Sequence, residues 1–428
     1  MTATTATTAP TPGRAAPVAD RLAGLLTDYL GGPLPVRLEG WDGSVAGPAD
    51  APVVRLRGPE ALRRILWHPG ELGAAQAYVT GELDVVGDLG AALDHVRGEA
   101  ARRGLATRRP TAGTVLRLVR LLRDLGAFGP PLPPPASQAR VTGRLHSLVR
   151  DRRSISHHYD LSNDFYALVL DPAMAYSCGY WTADDPSCTL ADAQRDKLHL
   201  VCRKLGLEPG MRMLDVGCGW GSLSLFAAEE YGVRVLGVTL SAEQKKYVDQ
   251  RITERGLADR VEIRLQDYRQ LTDRDFDAVA SLEMGEHVGQ RNYPVYAGVL
   301  TRAVRPGGRV LVQQMSRRGR HPGGGPFIES FIAPDMHMRP VGETVELLEG
   351  AGLEVRAVQS LREHYVRTAE AWLARLEERR EEIVAMVGEE VFRVWRLYMV
   401  GGARAFRDGR MGVDQVLCAR PGAMPGSR

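Results

Sequence analysis

The chain has 428 residues, of which 44% are hydrophobic and 25% charged, and its formal net charge is +3. These are ordinary values for a globular protein, so they exclude a wholly disordered chain and give no overall charge that would favour nucleic acid. The length favours two or three domains. No apolar run approaches the ~20 residues of a membrane-spanning helix, which leaves only peripheral contact with a membrane.

The N-terminal part predicts a tail and then a small domain. Residues 1–13 form a Thr/Ala/Pro tract that lacks the basic start and apolar core of a signal peptide, so we expect a disordered tail. Residues 14–128 begin with an apolar periodicity at Leu22, Leu25 and Leu26 and include an alternating stretch at 53–57. This pattern predicts a domain that mixes helix and strand.

A strongly basic segment lies at the end of this domain. Residues 97–153 contain thirteen arginines and three acids, and Arg117, Arg120 and Arg123 stand at three-residue spacing among leucines and valines. This spacing is typical of a helix that lies on an anionic membrane surface. The alternative is a solvated helix face packed on its own domain. Residues 129–150 form a Pro-rich, basic linker, because consecutive prolines continue neither helix nor strand.

Residues 151–420 predict an α/β domain with a mainly parallel sheet and helices on both faces. Short apolar runs alternate with segments of helical composition, at 211–216, 234–239, 261–265, 278–282 and 309–313. An insertion at about 316–345 is expected to form a lid over the carboxyl edge of the strands, where ligands bind in open α/β folds. Two helices, at 369–387 and 389–406, and a tail at 421–428 complete the chain.

The five cysteines predict no metal site. They are odd in number and follow no Cys-x-x-Cys or Cys/His spacing, so we expect reduced thiols in a cytoplasmic protein.

A glycine-rich motif marks the first strand of this domain. Residues 211–221 read Met-Arg-Met-Leu-Asp-Val-Gly-Cys-Gly-Trp-Gly, so an apolar run ends at Asp215 and is followed by Gly217, Gly219 and Gly221. Glycines permit positive φ and close approach of a ligand to the backbone. The spacing differs from the dinucleotide fingerprint G-x-G-x-x-G. It resembles motif I of the class I methyltransferases, which bind S-adenosylmethionine; the alternative is an ordinary strand-to-helix turn.

Several motifs together resemble the cyclopropane-fatty-acyl-phospholipid synthase family, which includes the mycolic acid cyclopropane synthases. They are His-His-Tyr-Asp-Leu-Ser-Asn-Asp-Phe-Tyr at 157–166, Tyr-Ser-Cys at 176–178, the motif around Asp215, and Glu-His-Val-Gly at 286–289. The resemblance covers most of residues 150–415 and, more weakly, the first domain through 81–84. It implies a class I S-adenosylmethionine methyltransferase fold with a mainly parallel seven-stranded sheet.

The resemblance also implies a cofactor site for S-adenosylmethionine. Its residues would be Tyr176, Ser177, Asp215, Gly217, Gly219, Gly221, Thr239, Leu240, Gln244, Asp267 and Tyr268. Gln244 can bond ribose hydroxyls, and Asp267 can accept from the adenine amino group. Asp267 taken alone could instead be a helix cap.

In this family the nucleophile is a carbon–carbon double bond, so no serine, cysteine or lysine is activated. The resemblance implies a bound bicarbonate as base, held by Cys178, Glu286, Gln313 and Tyr365, with His158 as a further catalytic residue. Taken singly, Cys178 could be a small buried hydrophobe, and His157, His158 and His287 core histidines. Trp372 and Trp395 are expected in the core.

Two departures from the family pattern fall in this base pocket. Gln313 and Gln314 stand where the family has His-Thr, so a titratable imidazole is replaced by a neutral amide. Glu283 and Gly285 replace the small and aromatic residues common in cyclopropane-forming members.

From these changes we expect a methyltransferase that adds a methyl-derived carbon to the double bond of an unsaturated phospholipid acyl chain. After a hydride shift, the carbocation would lose a proton to leave a 10-methylene group, which a separate reductase could convert to a methyl branch. The alternatives are a cyclopropane-fatty-acyl-phospholipid synthase proper, a methyltransferase for a soluble natural product, and a non-catalytic lipid-binding relative.

The expected location is cytoplasmic, on the anionic inner face of the cell membrane. No nucleic-acid partner is expected, because the basic patch lacks interleaved aromatics. Assembly into a homo-oligomer is left open.

Overall fold

The computed structural model describes residues 16–104, 111–139, 150, 162–185, 187–319 and 323–422. The chain divides into two compact units, Met1–Pro135 and Ala136–Arg428. The predicted tail at 1–13, most of the basic end of the linker, and the histidines His157 and His158 lie outside the described residues. No helix within the described ranges is long and apolar enough to cross a membrane.

The first unit contains a four-stranded mixed sheet and helices. Its strands are Arg37–Glu39 (β1), Val45–Ala46 (β2), Val53–Leu56 (β3) and Leu83–Val86 (β4). They lie in the order β2-β1-β3-β4, with β1 and β3 parallel and the outer pairs antiparallel. The helices are Val18–Leu30 (α1), Pro59–Trp67 (α2), Glu71–Val79 (α3), Leu89–Arg102 (α4) and Ala112–Asp124 (α5). The predicted mixture of helix and strand is confirmed.

The second unit contains a seven-stranded sheet. Its strands are Arg212–Val216 (β5), Arg234–Thr239 (β6), Val261–Leu265 (β7), Phe276–Leu282 (β8), Val304–Ser316 (β9), Glu354–Ser360 (β10) and Gly412–Ala419 (β11). The order is β10-β11-β9-β8-β5-β6-β7. Strands β5 to β9 pair in parallel, and β11 lies antiparallel between β9 and β10.

Helices cover both faces of this sheet. They are Asn163–Val169 (α6), Leu190–Leu205 (α7), Ser222–Tyr231 (α8), Ala242–Glu254 (α9), Gly285–Val288 (α10), Tyr293–Ala303 (α11), Pro326–Phe331 (α12), Val341–Gly350 (α13), Arg362–Glu378 (α14) and Arg380–Arg407 (α15). Successive strand residues point to opposite faces. Accordingly, Val279 of β8 packs in the cluster with α11 and α13, whereas Ala278 and Ala280 pack in the cluster with α7, α8 and α9.

The structure gives the bounds of the predicted C-terminal helices and describes most of the predicted insertion. The helix expected at 369–387 is wrong in its bounds, because α14 begins at Arg362 and ends at Glu378, and α15 begins at Arg380. Helix α15 breaks at Gly388, whose φ of +83° is not helical, as the predicted gap at that residue implied. The insertion expected at 316–345 is described except for residues 320–322 and contains α12 and the start of α13.

Candidate active site

A cavity of about 1110 Å³, including its open mouth, lies at the carboxyl ends of β5, β6, β7 and β8. Parallel strands bring their carboxyl ends to one edge of the sheet, so loops distant in sequence meet there. All the residues predicted to bind the cofactor line this cavity except Gly221: Tyr176, Ser177, Asp215, Gly217, Gly219, Thr239, Leu240, Gln244, Asp267 and Tyr268.

The glycine loop forms one wall of the cavity. Gly217 and Gly219 have φ values of +80° and +53°, and the Gly217 and Cys218 amides donate to the Val238 carbonyl oxygen at 3.0 and 3.1 Å. A Cβ at Gly217 would meet Met284 at 3.1 Å. The loop is thereby pinned to β6, and a ligand can approach its backbone.

Gly221 has a different structural role from Gly217 and Gly219. Its φ is +78°, and a Cβ there would lie 2.7 Å from Cγ1 of Val248 in α9. Gly221 is therefore required for helix packing at the start of α8 and does not border the cavity.

Asp215 and Lys197 are buried charged residues that interact electrostatically. Asp215 accepts a 2.7 Å hydrogen bond from the Ser224 hydroxyl, and burial raises the pKa of Asp215 to about 6. Lys197 of α7 is fully buried and donates from Nζ to Ser177 Oγ at 2.9 Å. Sequence reasoning missed Lys197, although a lysine at helical spacing from the apolar Ala193 and Val201 is a usable signal.

Polar side chains on the adjoining strands are held by local bonds. Thr239 Oγ1 donates to Oε1 of Gln244 at 2.8 Å, which orients that amide. Asp267 caps the short 3₁₀ turn Tyr268–Gln270, and its two oxygens accept from Arg269. The helix-cap interpretation of Asp267 is therefore correct, and the side chain also borders the cavity.

Aromatic side chains close another side of the cavity. Tyr176 packs against Trp220, Tyr166 and Trp372, and its hydroxyl donates to the Tyr398 hydroxyl oxygen at 3.3 Å. Tyr176 and Trp220 line the cavity. Trp372 and Trp395 are buried, as expected for core residues.

The Glu283 carboxylate accepts hydrogen bonds from three residues that the sequence assigns to the base pocket. Oε1 of Glu283 accepts from the Cys178 backbone amide and from Gln313 Nε2, each at 2.8 Å. Oε2 accepts from the Tyr365 hydroxyl at 2.6 Å. Glu283 itself lines the cavity, whereas Cys178, Gln313 and Tyr365 stand behind it. Sequence reasoning noted Glu283 only as a departure from the family pattern.

A chain of hydrogen bonds sets the orientation of the Gln313 amide. Lys204 Nζ donates to Oε1 of Gln415 at 2.7 Å, and Gln415 Nε2 donates to Oε1 of Gln313 at 2.8 Å. The Gln313 oxygen is thus an acceptor, so its Nε2 is turned toward Glu283.

Glu286 is buried but does not line the cavity. Its Oε1 accepts from the Met315 backbone amide, and Oε2 has no hydrogen-bond partner among the described residues. Burial and repulsion by Glu283 raise the pKa of Glu286 to about 8. Glu286 is therefore a neutral acid at pH 7.

The Cys178 side chain behaves as a buried apolar group. Its thiol is fully buried and donates to the carbonyl oxygens of Gly179, at 3.2 Å, and Leu361, at 3.6 Å. Burial raises the pKa of this thiol well above its usual value. Cys178 therefore meets Glu283 through its backbone amide and not through sulfur.

The protein-family description "Mycolic acid cyclopropane synthetase" matches residues 146–416. The chain belongs to this family. A "Probable fatty acid methyltransferase" of Mycobacterium tuberculosis is 37% identical over 396 residues, covering 90% of this chain and 91% of the relative. The "Tuberculostearic acid methyltransferase UfaA1" of the same species is 34% identical over 410 residues, covering 91% and 88%.

A solved member of the family has the same fold. It is mycolic acid cyclopropane synthase CmaA1 complexed with SAH and CTAB, which is 34% identical with a TM-score of 0.59 and covers 63% of this chain and 98% of its own. The chain is thus a methyltransferase dependent on S-adenosylmethionine, and the predicted fold class is confirmed.

The cavity fits S-adenosylmethionine. It combines bare backbone at Gly217 and Gly219, apolar side chains such as Leu240 and Met284, and a few fixed polar groups, the usual composition of a cofactor site.

The bicarbonate expected from the resemblance does not fit the described geometry. A bound bicarbonate would need hydrogen-bond donors, and those of Gln313 and Tyr365 are already given to the carboxylate of Glu283. A second anion placed against Glu283 would also be repelled in a buried site. His158, the remaining catalytic candidate, lies outside the described residues.

Proposed function

We propose that the protein methylates the double bond of an unsaturated phospholipid acyl chain and leaves a 10-methylene group. The observation that carries this proposal is the base pocket, where Glu283 and Gln313 replace the residues common in cyclopropane-forming members and meet in a 2.8 Å hydrogen bond. The names of the relatives support a fatty acyl substrate, and one of them is a tuberculostearic acid methyltransferase.

S-adenosylmethionine, when bound, supplies an electrophilic methyl group whose S–C bond breaks as an alkene carbon forms the new C–C bond. The protein's task is to hold the alkene and to protect the resulting carbocation from water. Tyr176 and Trp220 line the cavity, and aromatic rings near a cation stabilise it. Cys218, which also lines the cavity, has a thiol whose pKa is raised well above its usual value by burial, so it does not compete as a nucleophile.

The carbocation has two exits, which both lose a proton from the new methyl group and differ in whether a hydride shift comes first. Loss from the new methyl group with ring closure gives a cyclopropane. A hydride shift followed by loss from the methyl group gives a methylene. The position of the base relative to the chain decides between them, so a base pocket that departs from the family pattern supports a different product.

The test is product analysis with the purified protein, S-adenosylmethionine and vesicles of oleoyl phosphatidylglycerol. Cyclopropane and methylene products have the same mass, so the fatty acid methyl esters are treated with ozone before mass spectrometry. A methylene at C10 is cleaved to a 10-oxo ester, which is the expected result. A product of the same mass that resists ozone is a cyclopropane and overturns the proposal.

We further propose that helix α5 brings the enzyme to an anionic membrane, on the inner face of the cell membrane. Leu122 of this helix is buried in the first unit, while Val115 and Leu116 are 45% and 51% exposed. Arg120 and Arg123 are exposed as well. Exposed apolar residues beside arginines suit the boundary between headgroups and acyl chains.

Vesicle sedimentation tests this membrane contact. Binding to anionic vesicles is expected to exceed binding to zwitterionic vesicles and to weaken in high salt. The variant R120E/R123E should lose this preference, and R255E, on the second unit, serves as the matched control. Binding that does not depend on lipid charge overturns the proposal.

The reductase that would convert the methylene to a methyl branch is a further part of the proposal, and it would act on the released product.

A further inference from the structure

We propose that Glu283 takes the place of the family's bicarbonate and is itself the base that removes the proton from the methylated chain. This inference rests on the proposed alkene methylation and concerns only the group that accepts the proton.

The first support is the donor set. Three donors converge on the Glu283 carboxylate from three separate parts of the chain: the Cys178 amide, Gln313 Nε2 and the Tyr365 hydroxyl. These three residues are among the four that the resemblance assigns to bicarbonate, and the fourth is Glu286. A carboxylate has the same planar pair of oxygens as bicarbonate, so the one satisfies the donors that the other would use.

The second support is access. Glu283 borders the cavity together with Ser177 and Met284, whereas Glu286 does not border it. Glu286 is also protonated at neutral pH, because its pKa is about 8. Of these two buried glutamates, Glu283 is the one that borders this cavity.

The third support is backbone strain. Glu283 follows directly after β8 with a φ of +51°, a conformation that non-glycine residues rarely adopt. Its amide donates to the Gln313 carbonyl oxygen at 2.6 Å, which holds this turn against β9. Strain retained at a cavity wall is typical of residues whose side chain has a functional position.

The charges around Glu283 suit a base. Lys197 provides a buried positive charge that favours the carboxylate, while burial acts against it. Cys178, Tyr365 and Tyr398, the other titratable groups that interact with it, have pKa values raised by burial and stay neutral. The pKa of Glu283 is raised overall, which makes its carboxylate a stronger base than an exposed one.

The proton transfer balances without another reactant. After the hydride shift, a C–H bond of the new methyl group breaks and its electron pair forms the double bond of the methylene group. The proton goes to an oxygen of Glu283. Glu283 becomes a neutral acid and returns the proton to water before the next turnover.

The test compares the wild type with three variants in buffer purged of carbon dioxide. Glu283→Gln keeps the size of the side chain and removes the base. Glu283→Gly removes the side chain and suits the positive φ. Asp275→Gly is the matched control: Asp275 has a φ of +60° and an exposed side chain at the opposite end of β8, so the glycine changes the same kind of backbone away from the cavity.

Turnover by the wild type and by Asp275→Gly should not depend on added bicarbonate. Glu283→Gln should lose at least about 100-fold in turnover with or without bicarbonate. Glu283→Gly should be equally impaired. Its turnover should recover at least about tenfold when bicarbonate is added, because the three donors no longer bond a glutamate side chain and can bind the added anion. Binding of S-adenosylhomocysteine, measured by calorimetry, should survive in all three variants.

A second readout needs no turnover. Carbon-13 NMR of labelled bicarbonate should show binding to Glu283→Gly and none to the wild type. Wild-type turnover that requires bicarbonate, or bicarbonate bound to the wild type, overturns the inference, and so does a Glu283→Gln variant of undiminished turnover. If the wild type methylates no alkene at all, the proposed function fails, and the NMR measurement still decides whether Glu283 fills the anion site.

Discussion

The hydroxyl of Tyr365 donates a 2.6 Å hydrogen bond to Oε2 of Glu283, joining α14 to the end of β8 across 82 residues of sequence. The ring of Tyr365 stacks on Phe406 at a centroid distance of 4.4 Å, so its position does not depend on this bond alone. A change that removes only the hydroxyl therefore tests the bond and leaves the packing in place.

Tyr365→Phe should lower turnover about tenfold, since a hydrogen bond to a charged group contributes about 1.5–3 kcal/mol. Loss of this donor raises the pKa of Glu283 further. Activity requires the ionised carboxylate, so the acid limb of the kcat/KM profile should move to higher pH. A lower rate with an unmoved acid limb would show that Tyr365 acts only through packing.

Glu286→Ala should lower turnover by orders of magnitude while cofactor binding survives. The substitution removes the acceptor for the Met315 amide near the end of β9, two residues from Gln313. The two measurements are initial rates and calorimetric titration with S-adenosylhomocysteine. Loss of both together would mean that Glu286 is structural.

Glu286 should also make stability depend on pH. Its folded pKa of about 8 lies above the ordinary 4.5, so the folded state binds its proton more tightly. The contribution of this proton to the free energy of unfolding is complete below about pH 4.5. It is lost as pH rises through 8, at up to ~1.4 kcal/mol per pH unit. Thermal unfolding of Glu286→Gln, which cannot titrate, should show a smaller loss of stability than the wild type across this range. Parallel curves would contradict the raised pKa.

Gln415→Met should impair catalysis without touching the cavity. Gln415 holds the oxygen of Gln313, so its loss frees the Gln313 amide to turn its oxygen toward Glu283. We expect a turnover reduced about tenfold and an unchanged affinity for S-adenosylhomocysteine. Lys204→Met removes the next hydrogen bond, from Lys204 to Gln415, and should lower turnover less. An equal effect of both variants would indicate general unfolding of this region.

The glycines of the cofactor loop should differ in their tolerance of a methyl group. Gly219→Ala meets no heavy atom within 4 Å and carries only the cost of a positive φ, about 1–2 kcal/mol. Gly221→Ala has this cost and also a contact of 2.7 Å with Val248, so it should be the less stable variant. Thermal unfolding ranks the two, and the reverse order would contradict the packing at Gly221.

The strands that the sequence predicted are those with continuous apolar runs. Strands β5 to β9 are inner or parallel strands with buried residues, and the predicted runs fall on all five. Strand β10 is an edge with mostly exposed residues, and β11 carries the buried polar residues Asp414 and Gln415, so neither shows such a run. Their place in the sheet comes from tertiary pairing.

The site was predictable where local sequence determines it. The glycine loop and the residues after β6 and β7 are short segments whose backbone borders the cavity. The role of Glu283 depends on Cys178 and Tyr365, which are 105 and 82 residues away, and on the fold that unites them. The spacing of Lys197 from Ala193 and Val201 was a signal of its burial, but its bond to Ser177 depends on the fold.

The surroundings of Glu283 impose an order on the reaction cycle. Amides cannot relay a proton, so the hydrogen-bonded route through Gln313 and Gln415 toward Lys204 is closed to it. In the proposed scheme the proton that Glu283 collects leaves through the cavity that this residue borders, and water takes it up there once the lipid product has departed. Each cycle is thus reset by product release, and a lipid that stays bound holds the enzyme in its protonated, inactive form.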